Sequence, residues 1–505
     1  MIVDKGRFMS RGKIQKPLLP QVTRFVMMPD LDKTLPAVYQ HYIDINKAHV
    51  IMLERQGIIS QSTARRILKA NQELSDMGDV PTFPINPDLE DIYFNLEKYV
   101  IDRIGMQDGG QQHTARSRND LFATADRMCA RAGCLRCAQA LLTLRETLLT
   151  LARENTQTVF AGYTHLQPSE PITFAHYCSA LLQALERDSA RINALYARIN
   201  INPLGAGSMG STSFAIDREL TTQLLGFDRV MQNSLDAIAA SDYVQELAAT
   251  LAIAATTLGR SATDLYTWAT PDYGYVEVDD SVAVCSSIMP QKKNPLSLEY
   301  TRAQSGKLQG MLMSVMAMAK NTPYTLSIDN NVCLPQMIGP LLEDFTRTVE
   351  LFNATLTTLK VNPQKMKSRA ADNFCTVTEL ANTLVRHESI AFRQAHEIVA
   401  ELVNVMLEKG LGASRIDAPT LNPIFKRHTG SECMLSSEQI QAAIDPSRIA
   451  QAKRAQGGTA SDEVLRQLSL GEQAIKKDRD ILLQRESQLA KAHETLTELT
   501  HRYID

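Results

Sequence analysis

Three polar segments of the chain hold residue types able to act on a small molecule. The first, SVAVCSSIMPQKKNP from Ser281 to Pro295, sets Ser286 and Ser287 before a Met-Pro turn, then Lys292, Lys293 and Asn294. It has no glycine, so it is not a phosphate-cradling Walker loop. Pro290 and Pro295 break helix and leave an exposed polar loop. Loops on a rigid scaffold are where chemistry tends to sit, although spacing alone reads equally as a connector between helices. The second segment, GGQQHTARSRNDLFATADRM from Gly109 to Met128, gathers Arg116, Arg118 and Asn119 before a helix. Arginine forks, an amide and a helix start suit a carboxylate, and a helix cap with solvated arginines is the plain alternative. The third, GYTHLQPSEPITFAHY from Gly162 to Tyr177, places Thr164 and His165 ahead of a Pro-bounded turn. A lone histidine there is more often structural than catalytic.

The elements that must position these residues read as helices. Aromatic residues make up only 6% of the chain, which fits Leu/Ala-rich helices better than sheets. Leu141, Leu144, Leu148 and Leu151 recur at helical spacing, as do Val244, Leu247, Leu251, Leu258, Ala262 and Leu265. A further run starts after Pro295 and passes through Leu308, Met311, Met313 and Met316 to about Lys320. Each such stripe reads as core, and several long ones in succession imply an elongated bundle. Gly and Pro clusters at 78–88, 201–211, 271–275 and 455–461 punctuate the helices. They suggest an N-terminal helical domain over 1–118, a central bundle over 119–370, and a C-terminal helical domain over 371–505 whose charged tail from Ser469 is a packing or surface helix.

Composition excludes several functions. With 53 Lys plus Arg against 56 Asp plus Glu, no broad basic face awaits nucleic acid. No apolar run approaches a membrane span of about 18 residues, and the start MIVDKGRFMSRGKIQK lacks the apolar centre of a signal peptide. A cytoplasmic protein is expected. Cys129, Cys134 and Cys137 lie in a helical run without nearby histidines, so buried thiols are a better reading than a zinc or redox site. No metal or cofactor is expected.

The segment CSSIMPQKKNP closely resembles the GSSxMPxKxNP signature of the aspartase/fumarase superfamily, and its QKKNP ending resembles argininosuccinate lyase. HTARSRNDL resembles that family's HTGRSRNDQ, and GYTHLQPSEP its GYTHLQxAQP. Further likeness runs through 203–220, 233–246, 392–399 and 457–464. The resemblance implies an all-α, three-domain fold around a central long-helix bundle. It also implies a carbon–nitrogen lyase that splits an N-substituted aspartate into fumarate and an amine. By the same resemblance Ser286 is the base that removes the Cβ proton, with Lys292 and Asn294 supporting the aci-carboxylate. Arg118, Asn119 and Thr164 hold the succinyl carboxylates, and His165 serves the amine side. Ser117, Ser287, Met289, Gln291 and Tyr93 are the remaining substrate-binding positions. The implied assembly is a homotetramer whose sites draw the three motifs from three subunits.

The amine side departs from the family. Tyr93 stands at the histidine of EDIH, Asn46 at a substrate-contacting serine, and Leu326, Asn331 and Leu334 where Tyr, Gln and Lys are usual. Cys285, Ala115 and Leu121 also differ from the family's Gly, Gly and Gln. Losing polar partners for one leaving group erodes selectivity for it. The expected substrate is therefore an aminopolycarboxylate such as ethylenediaminedisuccinate, with argininosuccinate second and a noncatalytic, crystallin-like bundle third.

Overall fold

The computed structural model describes residues 16–505. Its longer helices are α1 (Met28–Arg55), α2 (Gln61–Ser75), α3 (Ile92–Ile104), α4 (Arg118–Glu154), α5 (Phe174–Ile199), α6 (Asp242–Trp268), α7 (Leu296–Ala319), α8 (Ile338–Thr357), α9 (Val377–Glu388), α10 (Phe392–Glu408), α11 (Ala418–Thr429) and α12 (Ser461–Ile504). Strand is confined among the described residues to four two-stranded pairs. The fold is all-α, as the periodicity implies.

Three hydrophobic cores organise it. The largest joins α4 to α8 through the expected stripes: Leu141, Leu144, Leu148 and Leu151 of α4 and Val244, Leu247, Leu251, Leu258, Ala262 and Leu265 of α6 are all buried. A second core unites α1, α2 and α3 with the first turns of α4 and with Leu204, Leu224, Leu225 and Phe227. A third is built from α9, α10, α11 and the segment up to Ile444. The stripe of α7 departs from expectation, because Leu308 is fully buried whereas Met313 and Met316 are 68% and 47% exposed. Those two methionines are not core of a single chain.

The charged tail belongs to the first two cores. Val464, Leu468, Ile475 and Leu482 of α12 enter the central core and Leu496 the N-terminal one. At its far end the Arg65 guanidinium donates to the carbonyls of Ile504 and Asp505 at 2.8 to 3.1 Å. Midway, the fully buried Arg145 of α4 pairs with Asp478 at 2.5 Å. Of the three cysteines on α4, Cys134 and Cys137 are buried and Cys129 half-buried. Burial pushes Cys129 and Cys137 up to about 12 and about 11, so they behave as packing groups. No helix among the described residues is long and apolar enough to cross a membrane.

The Arg145 pair yields a stability test. Removing Asp478 strands a buried cation, so Asp478→Ala should cost about 3–5 kcal/mol, whereas Arg145→Met combined with Asp478→Leu should cost clearly less. Chemical denaturation of the three proteins checks the order.

Candidate functional site

The Ser286 loop is framed by a short antiparallel pair, β1 (Val284–Cys285) and β2 (Lys293–Asn294). Two residues per strand suffice because the Ser286 N–H also donates to the Lys292 carbonyl at 3.3 Å, and that of Lys292 to Met289 at 3.1 Å. The loop turns back on the Ser286 hydroxyl, whose Oγ accepts the N–H of Met289 at 3.1 Å and of Ile288 at 3.4 Å. Two backbone dipoles therefore point at this oxygen, an arrangement that favours negative charge on it. The two lysines separate in role. Lys293 pairs with Glu277 and Asp280 at 2.7 and 2.8 Å, whereas Lys292 is exposed and pairs with no carboxylate among the described residues. Ser287, Met289 and Gln291 are exposed on the same loop, and Asn294 is half-buried beneath it.

Thr164 and His165 occupy the tip of a hairpin that periodicity did not reveal. Its strands run over Val159–Thr164 and Gln167–Thr173, with a register shift between Ala161 and Tyr163. Pro168 and Pro171 mask the second strand in sequence, since proline is tolerated only at edges and bulges. The two-residue turn sets His165 at φ 54° and Leu166 at φ 56°, the left-handed pairing that a tight hairpin turn needs and that leucine rarely adopts. The base of the hairpin is fixed by Phe160, edge-on to Trp268 at 5.3 Å, and by the Tyr163 and Tyr275 hydroxyls 2.7 Å apart. The tip itself, from Thr164 to Pro168, is exposed.

The arginine motif sits at the start of α4. Ser117 is its N-cap and forms a capping box with Asp120. Asp120 is fully buried, and its second oxygen accepts the N–H groups of Gly205 and Gly207 at 3.0 Å each. Burial pushes its carboxyl up to about 6, against the pull of Arg116 and these donors. Asp120 thus ties the motif to the 203–210 loop, where the Asn119 amide donates to the Ser208 carbonyl at 3.1 Å. In the sequence Asp120 shows itself only by its place three residues after the Ser cap. Arg118 is held by Asp91 at 2.5 Å and Glu90 at 3.3 Å, with its guanidinium 4.2 Å from the Phe94 ring centre. Arg116 is buried, and its Nε and Nη1 find no partner among the described residues. These donors are available to a carboxylate or to water.

The amine-side positions scatter. Asn46 and Tyr93 are fully enclosed, and the Tyr93 hydroxyl is engaged by Glu97, His113 and Arg116. Leu326 and Asn331 line a cavity of about 20 Å³ together with Asn119 and Arg127. The Asn331 amide, however, braces backbone, donating to the Ile238 carbonyl at 2.6 Å and accepting from the Ser327 N–H at 3.0 Å. Leu334 is buried in the central core.

The motifs lie at opposite ends of the bundle. The first turn of α6 meets the arginine motif's helix, with the Arg127 guanidinium 4.3 Å from the Tyr243 ring centre. Its last residue, Trp268, abuts the hairpin base, and Tyr266 reaches Glu299 at the start of α7, just beyond the Ser286 loop. Across the 27 residues of α6, the rise of a helix separates the two ends by about 40 Å.

Comparison with known proteins resolves what this arrangement belongs to. Residues 32–310 match a family described as lyase, and residues 374–451 one described as argininosuccinate lyase C-terminal. Argininosuccinate lyase 1 of Shouchella clausii is 42% identical over 97% of this chain and 98% of its own. The chain belongs to the argininosuccinate lyase family. Argininosuccinate lyase of Methanocaldococcus jannaschii is 35% identical over 91% of this chain and 93% of its own. Among solved structures, an EDDS lyase in complex with formate superposes with a TM-score of 0.87 at 30% identity, covering 97% of both chains. A variant of EDDS lyase with bound fumarate matches equally well. The chain is therefore a carbon–nitrogen lyase of the aspartase/fumarase type that releases fumarate, and the noncatalytic reading falls away.

Proposed function

We propose that the chain cleaves argininosuccinate to arginine and fumarate as a cytoplasmic homotetramer. The observation that carries the substrate is the 42% identity over nearly the whole length of a relative named for that reaction. This reverses the order expected from positions 326, 331 and 334. Leu334 lies in the core and Asn331 braces backbone, so these residues do not jointly line one open pocket from which polar groups have been removed. Leu326 beside Asn119, together with the likeness to EDDS lyase, favours a second reading, elimination from ethylenediaminedisuccinate.

In the proposed mechanism Ser286 acts as an alkoxide base. A serine hydroxyl is ordinarily far too weak, and the Met289 and Ile288 N–H groups with a free Lys292 supply the stabilisation required. Arg118, Asn119 and Thr164 hold the succinyl carboxylates while Lys292 and Asn294 stabilise the aci-carboxylate, and His165 serves the leaving nitrogen. The separation of about 40 Å along α6, the exposed hairpin tip and the exposed Met313 and Met316 of α7 support sites assembled from several copies.

Substrate is tested by fumarate release, comparing kcat/KM for argininosuccinate and ethylenediaminedisuccinate. A value of about 10⁴ M⁻¹s⁻¹ or more for argininosuccinate is expected, and inactivity on it with turnover of the diamine compound would establish the second reading instead. Ser286→Ala should lower kcat by at least about a hundredfold with assembly intact. Mixed with Arg118→Ala chains it should regain part of the activity, because some sites then hold both native residues. Verified mixed tetramers that stay inactive would mean that each site is built within one chain.

A further inference from the structure

Beneath the arginine motif, Glu97, Tyr93 and His113 form a hydrogen-bonded line that leads from the interior to the surface. Glu97 and Tyr93 are 4% and 0% exposed, while the His113 side chain is 37% exposed. The Tyr93 oxygen lies 3.1 Å from Glu97 Oε1, 3.2 Å from Arg116 Nη2 and 2.8 Å from His113 Nδ1. A phenol has one proton to donate and two lone pairs to accept with. Arginine only donates, which fills one lone pair. An ionised Glu97 only accepts, which takes the one proton. The remaining contact closes only if His113 donates from Nδ1, so a neutral ring has a bare lone pair at Nε2. Burial, then Arg116 and Arg118, hold His113 down at about 4, which keeps the ring neutral near physiological pH.

We propose that Tyr93 and Glu97 are positioning residues that lock His113 in the Nδ1–H tautomer, making its Nε2 a hydrogen-bond acceptor for the amine half of the substrate. This rests on the lyase reading above and adds to the amine side a recognition group beside the proposed His165. His113 feels the charges of both Arg116 and Arg118, so an N–H donor accepted at Nε2 would lie near the proposed succinyl-binding end of the motif. Arginine and diamines both present such donors, whereas the cationic neighbours Arg116 and Arg118 cannot accept them. Tyr93, at the family's EDIH histidine, is thereby an active part of the site despite having no exposed surface. The groups facing the line are Glu90, Asp91, Arg116, Arg118 and His49. Burial raises Glu97 above its ordinary value, and a protonated Glu97 would reverse the line by donating to Tyr93. The tautomer is therefore read on the alkaline side, at about pH 8, which favours the ionised carboxylate.

Solid-state ¹⁵N NMR of the assembled protein labelled at histidine reads the tautomer directly, with the His113 signals assigned by their loss in His113→Gln. At pH 8 the native enzyme should show a neutral Nδ1–H ring, and Tyr93→Phe should shift it towards Nε2–H. A native Nε2–H ring or an imidazolium overturns the proposal whether or not the enzyme turns over argininosuccinate. In the reverse addition, Tyr93→Phe and Glu97→Gln should raise the KM for the amine about tenfold and leave the KM for fumarate within about twofold. Arginine and ethylenediamine are both used as the amine, so failure with arginine alone counts against the proposed substrate and not against His113. If both KM values rise together, or neither moves, the residues serve the fold and the recognition role is wrong.

Discussion

The rise of an α-helix governs this molecule. Each residue of a helix advances the chain by about 1.5 Å, so α6, with its 27 residues, is a rigid spacer between the arginine motif and the two other motifs. Side chains reach only a few ångströms, and nothing in a packed bundle shortens that spacer. The proposed chemistry therefore calls on surfaces that a single chain leaves open: the exposed hairpin tip, the loop around Ser286, and the start of α4. The exposed methionines of α7 fit the proposed assembly, in which a neighbouring helix would cover them.

Within that frame each motif is made rigid in a different way. The Ser286 loop is closed by four-residue pairing and turned so that backbone N–H groups face the hydroxyl. The hairpin is clamped at its base by aromatic contacts while its tip carries left-handed backbone at His165 and Leu166, conformational cost concentrated where function is proposed. The arginine motif is capped by Ser117 and tied to the 203–210 loop by one buried carboxylate, Asp120. These devices place functional groups on well-ordered supports rather than on free loops.

Much of this was legible in the residues, for identifiable reasons. The stripes of α4 and α6 show because a long amphipathic helix repeats its signal over many turns. The motif residues show because their types are unusual outside function. The hairpin does not show, since it is short and carries two prolines in one strand. Nor does the difference between Lys292 and Lys293, which depends on Glu277 and Asp280 arriving from another part of the chain. Nor could position in sequence tell that Leu334 faces the core. Tyr93 is the converse, a residue marked by its departure from the family whose meaning lies in a buried line to His113.

The central proposal is that one chain alone holds no complete site. Specific activity and oligomeric state, followed together as the enzyme is diluted through its dissociation range by fumarate release and mass photometry, test it most directly. Activity should fall in step with loss of the assembled species and return on reconcentration. Isolated chains that keep the full specific activity would contradict it.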